Sequence, residues 1–316
     1  MKQAYTPYTV LEQDLARVRD LLRREGDSPN RVIREALAET AWNGKLLRPA
    51  FLLLAGHLGT FDTEKHTALA AAVEMLHFGT LVHDDIIDDS PYRRGVPTLH
   101  VTNGRHDAVL MGDYLFSRCF SLAARYAKLE NARYIAAAVG RICESEIADP
   151  NVNPTRRDYL RKTAGKTAVL FTVSCYVGAE EAGCPPRISN AMRRAGYNIG
   201  MGFQIIDDIL DFTGTEEELG KPIGNDLRSG IVTLPVILAL ERKGGAFRAL
   251  LDRFFAGNVP VERIVEEVRA AGGINDAREL ARVYTRRAEE LLSALPDQWA
   301  RNALLDITRG LLVRRY

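Results

Sequence analysis

Four carboxylates fall within six residues at Asp84-Asp85-Ile86-Ile87-Asp88-Asp89, straight after the apolar run Met75 to Val82. A second set, Asp207-Asp208-Ile209-Leu210-Asp211, continues another apolar segment that carries Gln204. On a helix, residues four apart share a face, so Asp84 and Asp88 project together, as do Asp207 and Asp211. His77, seven residues before Asp84, falls on nearly the same stripe. Carboxylates without imidazole or thiolate partners at ligand spacing select hard, oxygen-loving cations. They suit Mg²⁺ that keeps water and takes its remaining ligands from a substrate phosphate. Either run alone reads equally as a solvated helix end. Two runs, each on an apolar helix with basic residues and a glutamine in company, point to one shared site, since unpaired buried carboxylates are prohibitively costly.

Cations are available for such a site. Lys45 and Arg48 stand three apart at the start of an expected helix from Leu46 to Leu58. They read either as an anion cradle beside free backbone N–H groups or as a solvated surface pair. Tyr92 to Thr98 is a basic loop with Arg93 and Arg94. Lys166-Thr167 lies in mid-helix, and the irregular stretch from Thr213 to Gly230 holds Lys221, Asp226 and Arg228; a long loop of this kind is usually functional. Glu74 and His77 form one Glu-x-x-His, where a di-iron carboxylate bundle uses two. Nucleophile elbow, Walker loop and dinucleotide fingerprint are all missing. Metal, diphosphate and apolar helices together fit the ionisation of an allylic diphosphate: the cation stabilises the leaving group and apolar or aromatic walls tolerate the carbocation.

The elements that position these residues are helical by period. Apolar positions recur at helical spacing from Thr9 to Arg24, and Ser28-Pro29 reads as a cap opening a helix through Thr40. A long, Ala-rich, buried central helix is expected from Thr67 to Asp89, where Pro91 stops it. Further helices are expected over 105–126, 131–147, 155–178, 187–212, 231–242, 246–255, 261–271, 276–295 and 299–312, the third of them capped by Thr155. Strand signal is absent, and neither a composition shift nor a repeat divides the chain. The expectation is one all-α domain over 1–316, a bundle of ten or more helices with the aspartate-bearing ones in the middle.

Bulk properties narrow the partners. With 42 basic and 41 acidic residues the net charge is +1, so nothing favours nucleic acid or an anionic membrane surface, and anion binding has to be local. Cys119, Cys143, Cys175 and Cys184 are scattered without a CxxC pair and read as buried reduced thiols. Met1 to Pro7 lacks an apolar signal core, and no segment reaches the roughly 18 uninterrupted apolar residues of a membrane span. A cytoplasmic protein is expected.

In their order along the chain the motifs resemble the trans-isoprenyl diphosphate synthases, the polyprenyl synthetase family. Gly44-Lys45-Leu46-Leu47-Arg48-Pro49 resembles its GK-x-x-RP element, His77 through Asp88 its first aspartate-rich motif, and Arg93-Arg94-Gly95 the basic pair that follows. Lys166-Thr167, Phe203-Gln204 through Asp211, Gly220-Lys221-Pro222 with Asp226, and Thr233-Leu234-Pro235 complete the series. The resemblance implies an isoprenoid-synthase bundle around a central cavity and a head-to-tail, 1'-4 condensation of isopentenyl diphosphate onto an allylic diphosphate such as farnesyl diphosphate. By motif position it places Lys45, Arg48, His77 and Arg94 on isopentenyl diphosphate, and Arg93, Lys166, Thr167, Gln204 and Lys221 on the allylic diphosphate. Asp84, Asp88 and Asp207, with Asp211, fall to Mg²⁺, and the released diphosphate serves as base. Asp85 lies off the metal face, and Asp89 caps the helix or orients Arg93. Many members carry a lysine before Thr-Leu-Pro where this chain has Ile231-Val232, and Arg228 is a substitute.

If the product grows down the first motif's helix, the residues one turn before Asp84, Gly79 and Thr80, form its wall. The family's short-chain enzymes tend to place an aromatic there. A glycine and a threonine imply a long product, about C30 to C40 by resemblance to long-chain members. A shorter geranylgeranyl or farnesyl product, a class I terpene cyclase, a head-to-head condensing enzyme and a noncatalytic regulatory subunit are the alternatives. Lys45/Arg48 and Arg93/Arg94 speak for a second diphosphate site, which a cyclase does not need. Intact aspartates speak against a noncatalytic chain. A homodimer, or a heteromer with a small subunit, is the expected assembly, with at most peripheral membrane contact for product release, and a quinone side chain is one destination for the product.

Overall fold

The stretches expected to be helical on period are helical. The structure, a computed structural model, describes residues 11–40, 44–93, 95–147, 154–214 and 223–312. In chain order the elements are α1 (Glu12–Gly26), α2 (Arg31–Thr40), α3 (Leu47–Gly56), α4 (Thr63–Ile87), β1 (Tyr92–Arg93), β2 (Val96–Pro97), α5 (Leu99–Asn103), α6 (Arg105–Tyr126), α7 (Leu129–Glu146) and α8 (Arg156–Thr163). A π-helical turn, Ala164–Ala168, joins α8 to α9 (Val169–Glu181), and α10 (Pro186–Thr213) and α11 (Asn225–Arg228) follow. The chain continues through α12 (Leu234–Lys243), α13 (Gly245–Phe255), α14 (Val261–Ala270), α15 (Gly273–Ser293) and α16 (Trp299–Leu312). The fold is all-α; among the described residues the one departure from the expected lack of strands is β1 paired antiparallel with β2, a two-residue hairpin ladder beside the first aspartate run.

Cap chemistry sets several boundaries. The predicted cap Ser28 is displaced by Asn30, whose Oδ1 accepts the Val32 N–H at 2.9 Å, while the Ser28 hydroxyl takes the Asn30 N–H at 3.2 Å. Asp62 accepts the Lys65 N–H at 2.9 Å and starts α4 four residues before the expected Thr67. Thr155 and Asp158 form a reciprocal capping box that opens α8 where it was expected. One of the four cysteines corrects the reading of buried thiols: Cys119, Cys175 and Cys184 are buried, but Cys143 is exposed on α7.

The chain divides into two compact units. The first takes in Met1–Gly140, Leu170–Gly196 and Leu291–Ile307, and the second Arg141–Val169, Tyr197–Glu290 and Thr308–Tyr316. Within the first, α4 packs against α1, α3 and α6. From His66 to Leu76 every residue of α4 is buried, so this part has no polar face, as a helix enclosed on all sides requires. Its close approach to α6 depends on two glycines. A Cβ at Gly79 would lie 2.7 Å from the Phe116 ring, and one at Gly112 would lie 2.2 Å from the His83 ring. The second unit has its own core, built on Ile205, Ile209 and Phe212 of α10 with Leu234, Phe247, Ile264 and Ile274.

Candidate active site

The first aspartate run sits where α4 emerges from its core. Asp84 is half-buried and Asp88 exposed, with the Asp88 N–H still bonded to the Asp84 carbonyl at 2.8 Å, so the two carboxylates stand one turn apart as expected. Asp89 adopts φ 51° and the Ser90 N–H reaches the Asp85 carbonyl at 3.0 Å. This is a Schellman ending with aspartate in the left-handed position usually given to glycine. Of the two roles expected for Asp89, capping holds and orienting Arg93 does not. Its carboxylate pairs with Arg105 at 2.6 Å.

Arg93 is oriented instead by Asp85, the aspartate off the metal face. Its Nε lies 2.9 Å from both Asp85 oxygens and its Nη2 lies 2.6 Å from Oδ1. Asp85 is only 6% exposed, and a buried carboxylate is tolerable because this forked contact compensates its charge. β1 supplies the arm that brings Arg93 back to α4. Sequence reading missed this pair, although an acidic residue at i and an arginine beyond a tight loop were its visible signal. Arg94, the other expected member of the basic pair, and Lys221 lie outside the described residues.

The Lys45/Arg48 cradle is built differently from expectation. Leu46 takes φ 48° and is buried, so the helix starts at Leu47 and ends at Gly56. Lys45 is exposed on the far side of a left-handed turn, and the two cations do not share a helix face. Among the described residues Leu46 and Asp89 are the two non-glycines in the left-handed region, a strained conformation that concentrates at functional sites. Arg48 is half-buried, its guanidinium 4.9 Å from the Phe171 ring centroid. His77 is half-buried, and its carbonyl accepts the Thr80 hydroxyl at 2.7 Å.

Gly79 calls for a correction. The space its missing side chain leaves is already taken by Phe116 of α6, whose ring also meets His83 edge-on with centroids 5.3 Å apart. Its smallness serves the packing of α4 against α6. Thr80, next to it, is half-buried.

The second unit brings Thr167, Gln204, Asp208 and Tyr159 into one chain of hydrogen bonds. The Thr167 hydroxyl donates to Gln204 Oε1 at 2.7 Å, Gln204 Nε2 donates to Asp208 Oδ1 at 2.8 Å, and the Tyr159 hydroxyl donates to Asp208 Oδ2 at 2.5 Å. Burial pushes the Asp208 carboxyl up to about 8, against the hydrogen bonds from Tyr159 and Gln204 and with the help of the charges on Asp226 and Asp207. Burial, together with the Asp208 charge, also raises the Tyr159 phenol well above its ordinary range. Asp207 is exposed, whereas Asp211 is 1% exposed and accepts the Asp226 N–H at 3.2 Å. The two do not present together as their spacing predicts, because α11 and the turn before it cover the end of α10.

Lys166 occupies the π-helical turn, a geometry found mostly at functional sites. Its Nζ lies 3.2 Å from Glu146 Oε1. Arg228, the suggested substitute for the missing lysine, is paired with Glu262 at 2.9 Å. The half-buried Asp84 and exposed Asp88 of the first unit, and separately the exposed Asp207 of the second, are oxygen donors of the kind a hard divalent cation takes. The buried Asp211, committed to the α11 backbone, fits it poorly.

Comparison with known proteins identifies the family. The Polyprenyl synthetase family model matches residues 30–270. The chain is 35% identical to heptaprenyl diphosphate synthase component 2 of Bacillus subtilis (strain 168), over 98% of this chain and 90% of the relative. It is 37% identical to the all-trans-nonaprenyl-diphosphate synthase (geranyl-diphosphate specific) of Rhodobacter capsulatus, over 86% and 85%. Its fold is similar to that of the polyprenyl synthase from Caulobacter crescentus CB15 complexed with calcium and isoprenyl diphosphate, with TM-score 0.92, 32% identity, and 98% and 97% of the two chains covered. By the family match, by identity over nearly the whole chain and by its aspartate-bearing helices, the chain belongs to the polyprenyl synthetase family.

Proposed function

We propose that the chain is a trans-polyprenyl diphosphate synthase, a prenyltransferase that condenses isopentenyl diphosphate head-to-tail with an allylic diphosphate to give a long product. The observation that carries this reading is α4 itself, enclosed and mostly apolar from His66 to Leu76 and then ending in Asp84 and Asp88 one turn apart. An apolar chain and a charged diphosphate are the two halves of the substrate such a helix matches. In the reaction the allylic C–O bond breaks, the terminal methylene carbon of isopentenyl diphosphate bonds to the cationic carbon, and the released diphosphate takes the departing proton. Asp84 and Asp88, with Asp207, would hold Mg²⁺, which when bound would supply charge stabilisation to the leaving diphosphate.

The chain's own residues orient the substrates. Arg93, aimed by Asp85, and Lys166, Thr167 and Gln204 are assigned to the allylic diphosphate, with Lys221. Lys45, Arg48, His77 and Arg94 are assigned to isopentenyl diphosphate. Asp211 is assigned to holding α11 in place rather than to the metal. Product length is assigned to Thr80 and, through Phe116, to Gly79. The names of similar proteins, heptaprenyl and all-trans-nonaprenyl diphosphate synthases, support a long product over a shorter one, and the first of them falls within the expected range of about C30 to C40. The whole chain is read as one polyprenyl synthetase domain and its location as cytoplasmic; no helix among the described residues is long and apolar enough to cross a membrane.

A heteromer with a small subunit is the second reading of the assembly, favoured by the likeness to a protein named component 2; a homodimer is the first. One experiment addresses activity and assembly. The purified chain is incubated alone with labelled isopentenyl diphosphate, farnesyl diphosphate and Mg²⁺, and the product is sized. A long polyprenyl diphosphate supports the first reading. Activity that appears only with an added partner supports the second, and a cyclised hydrocarbon refutes both.

A further inference from the structure

Glu146, the last residue of α7, carries no role in the reading above. Its side chain is 20% exposed, with Oε1 3.2 Å from Lys166 Nζ and Oε2 3.9 Å from Lys162 Nζ. Lys162 and Lys166 stand four apart, on the last turn of α8 and in the π-helical turn, so one carboxylate spans both ammonium groups. The contact depends on how closely the π-turn lies against α7. A Cβ at Gly165 would fall 2.4 Å from Ser145 Cβ and 3.1 Å from the Arg141 carbonyl. Any side chain at 165 therefore pushes the turn off α7 and carries Lys166 away from Glu146. The Ser145 hydroxyl, which would itself lie 2.7 Å from that Cβ, donates to the Ile142 carbonyl at 2.8 Å and is held against α7.

A lysine needs such a partner more than its neighbours do. Thr167 is held by Gln204. Lys166 has a flexible four-carbon stem and a side chain 34% exposed, and ordering a lysine costs substantial rotamer entropy. An ion pair with a neighbouring carboxylate restrains that stem and prepays part of its ordering before a phosphate oxygen arrives.

We propose that Glu146 is a positioning residue: with Gly165 holding the π-turn against α7, its carboxylate fixes the direction from which the Lys166 ammonium meets the allylic diphosphate. This rests on the assignment of Lys166 to the allylic diphosphate. The test is steady-state kinetics with each substrate varied in turn, on Glu146→Gln, Glu146→Asp, Gly165→Ala, Lys166→Ala and the Glu146→Gln/Lys166→Ala double variant. Thermal unfolding of each checks the fold. Glu146→Gln is expected to raise KM for the allylic diphosphate about three- to fivefold, to leave KM for isopentenyl diphosphate unmoved, and to add nothing once Lys166 is removed. Glu146→Asp restores part of the loss, and Gly165→Ala reproduces it.

An allylic KM that is unchanged or lower in Glu146→Gln overturns the proposal; a fall means that the carboxylate acts by repelling the diphosphate. An effect of full size in the Lys166→Ala background, or an equal rise in both KM values, also overturns it. If Lys166→Ala alone leaves the allylic KM unmoved, the assignment of Lys166 itself fails, and the inference with it. Should Glu146→Gln not fold, Glu146→Asp and Gly165→Ala decide between the same outcomes.

Discussion

Replacing Gly79 by alanine sets two effects of known size against each other. Gly79 lies in the interior of α4, where alanine is favoured over glycine by about 1 kcal/mol. Its new Cβ would lie 2.7 and 2.9 Å from two ring carbons of Phe116 and 3.2 Å from the Gly112 carbonyl. Overpacking of this kind costs about 1–3 kcal/mol, so Gly79→Ala is expected to destabilise by about 0–2 kcal/mol. Removing the ring removes the clash. In a Phe116→Ala background the same substitution should stabilise by up to about 1 kcal/mol, which makes the coupling between the two positions about 1–3 kcal/mol. Urea unfolding followed by helical circular dichroism on the four proteins of the cycle measures it. A coupling near zero would refute the placement of Phe116 over Gly79. The consequence for product length is direct: Gly79→Phe acts by displacing Phe116 from between α4 and α6, so a change in product from that variant reports on helix packing as much as on channel width.

Thr80 offers the cleaner test of chain length, and Thr80→Tyr is expected to shorten the product on chromatography; an unchanged product would remove Thr80 from the channel wall. Asp84→Ala should abolish Mg²⁺-dependent condensation while the helical circular dichroism stays intact, and retained turnover would sink its assignment as a metal ligand. Arg93→Ala strands the buried Asp85 charge, so it should lose about 3–5 kcal/mol of stability if the pair stays unrelieved, and Asp85→Asn in the same chain should recover much of that in a denaturant titration. His66 is fully buried, and burial lowers its pKa from 6.5. The unfolded chain then binds a proton that the folded one refuses, so stability present above pH about 6.5 falls as pH drops through that value. His66→Gln should flatten that slope in unfolding midpoints compared at neutral and mildly acidic pH, and an unaltered slope would assign the acid sensitivity elsewhere.

Much of the site was legible because its chemistry is local. The spacing of Asp84 and Asp88 on one helix, the apolar run before them and the order of basic motifs are properties of short segments, and helical period alone places them. The all-α class follows from the same period. Asp89 shows the limit of that kind of reading: its place at the end of α4 was visible, but whether its carboxylate met Arg93 or Arg105 was not. Two basic residues beyond one turn are equivalent until the chain folds back.

What the tertiary structure decided is which of several equivalent polar groups meets which. Asp85 looked like the spare aspartate and is the one that clamps Arg93, because β1 returns over the buried side of α4. Tyr159 and Glu146 carry no motif, yet they hold Asp208 and Lys166, since partners forty-nine and twenty residues apart are joined only by helix packing. Gly79 was small in the sequence, and only the presence of Phe116 on a second helix shows what that smallness is for. Sequence by itself determined the elements and the chemistry each one carries, because both depend on residues within a few turns of one another. Tertiary structure decided orientation, burial and pairing, because those depend on which surfaces the long-range contacts bring together.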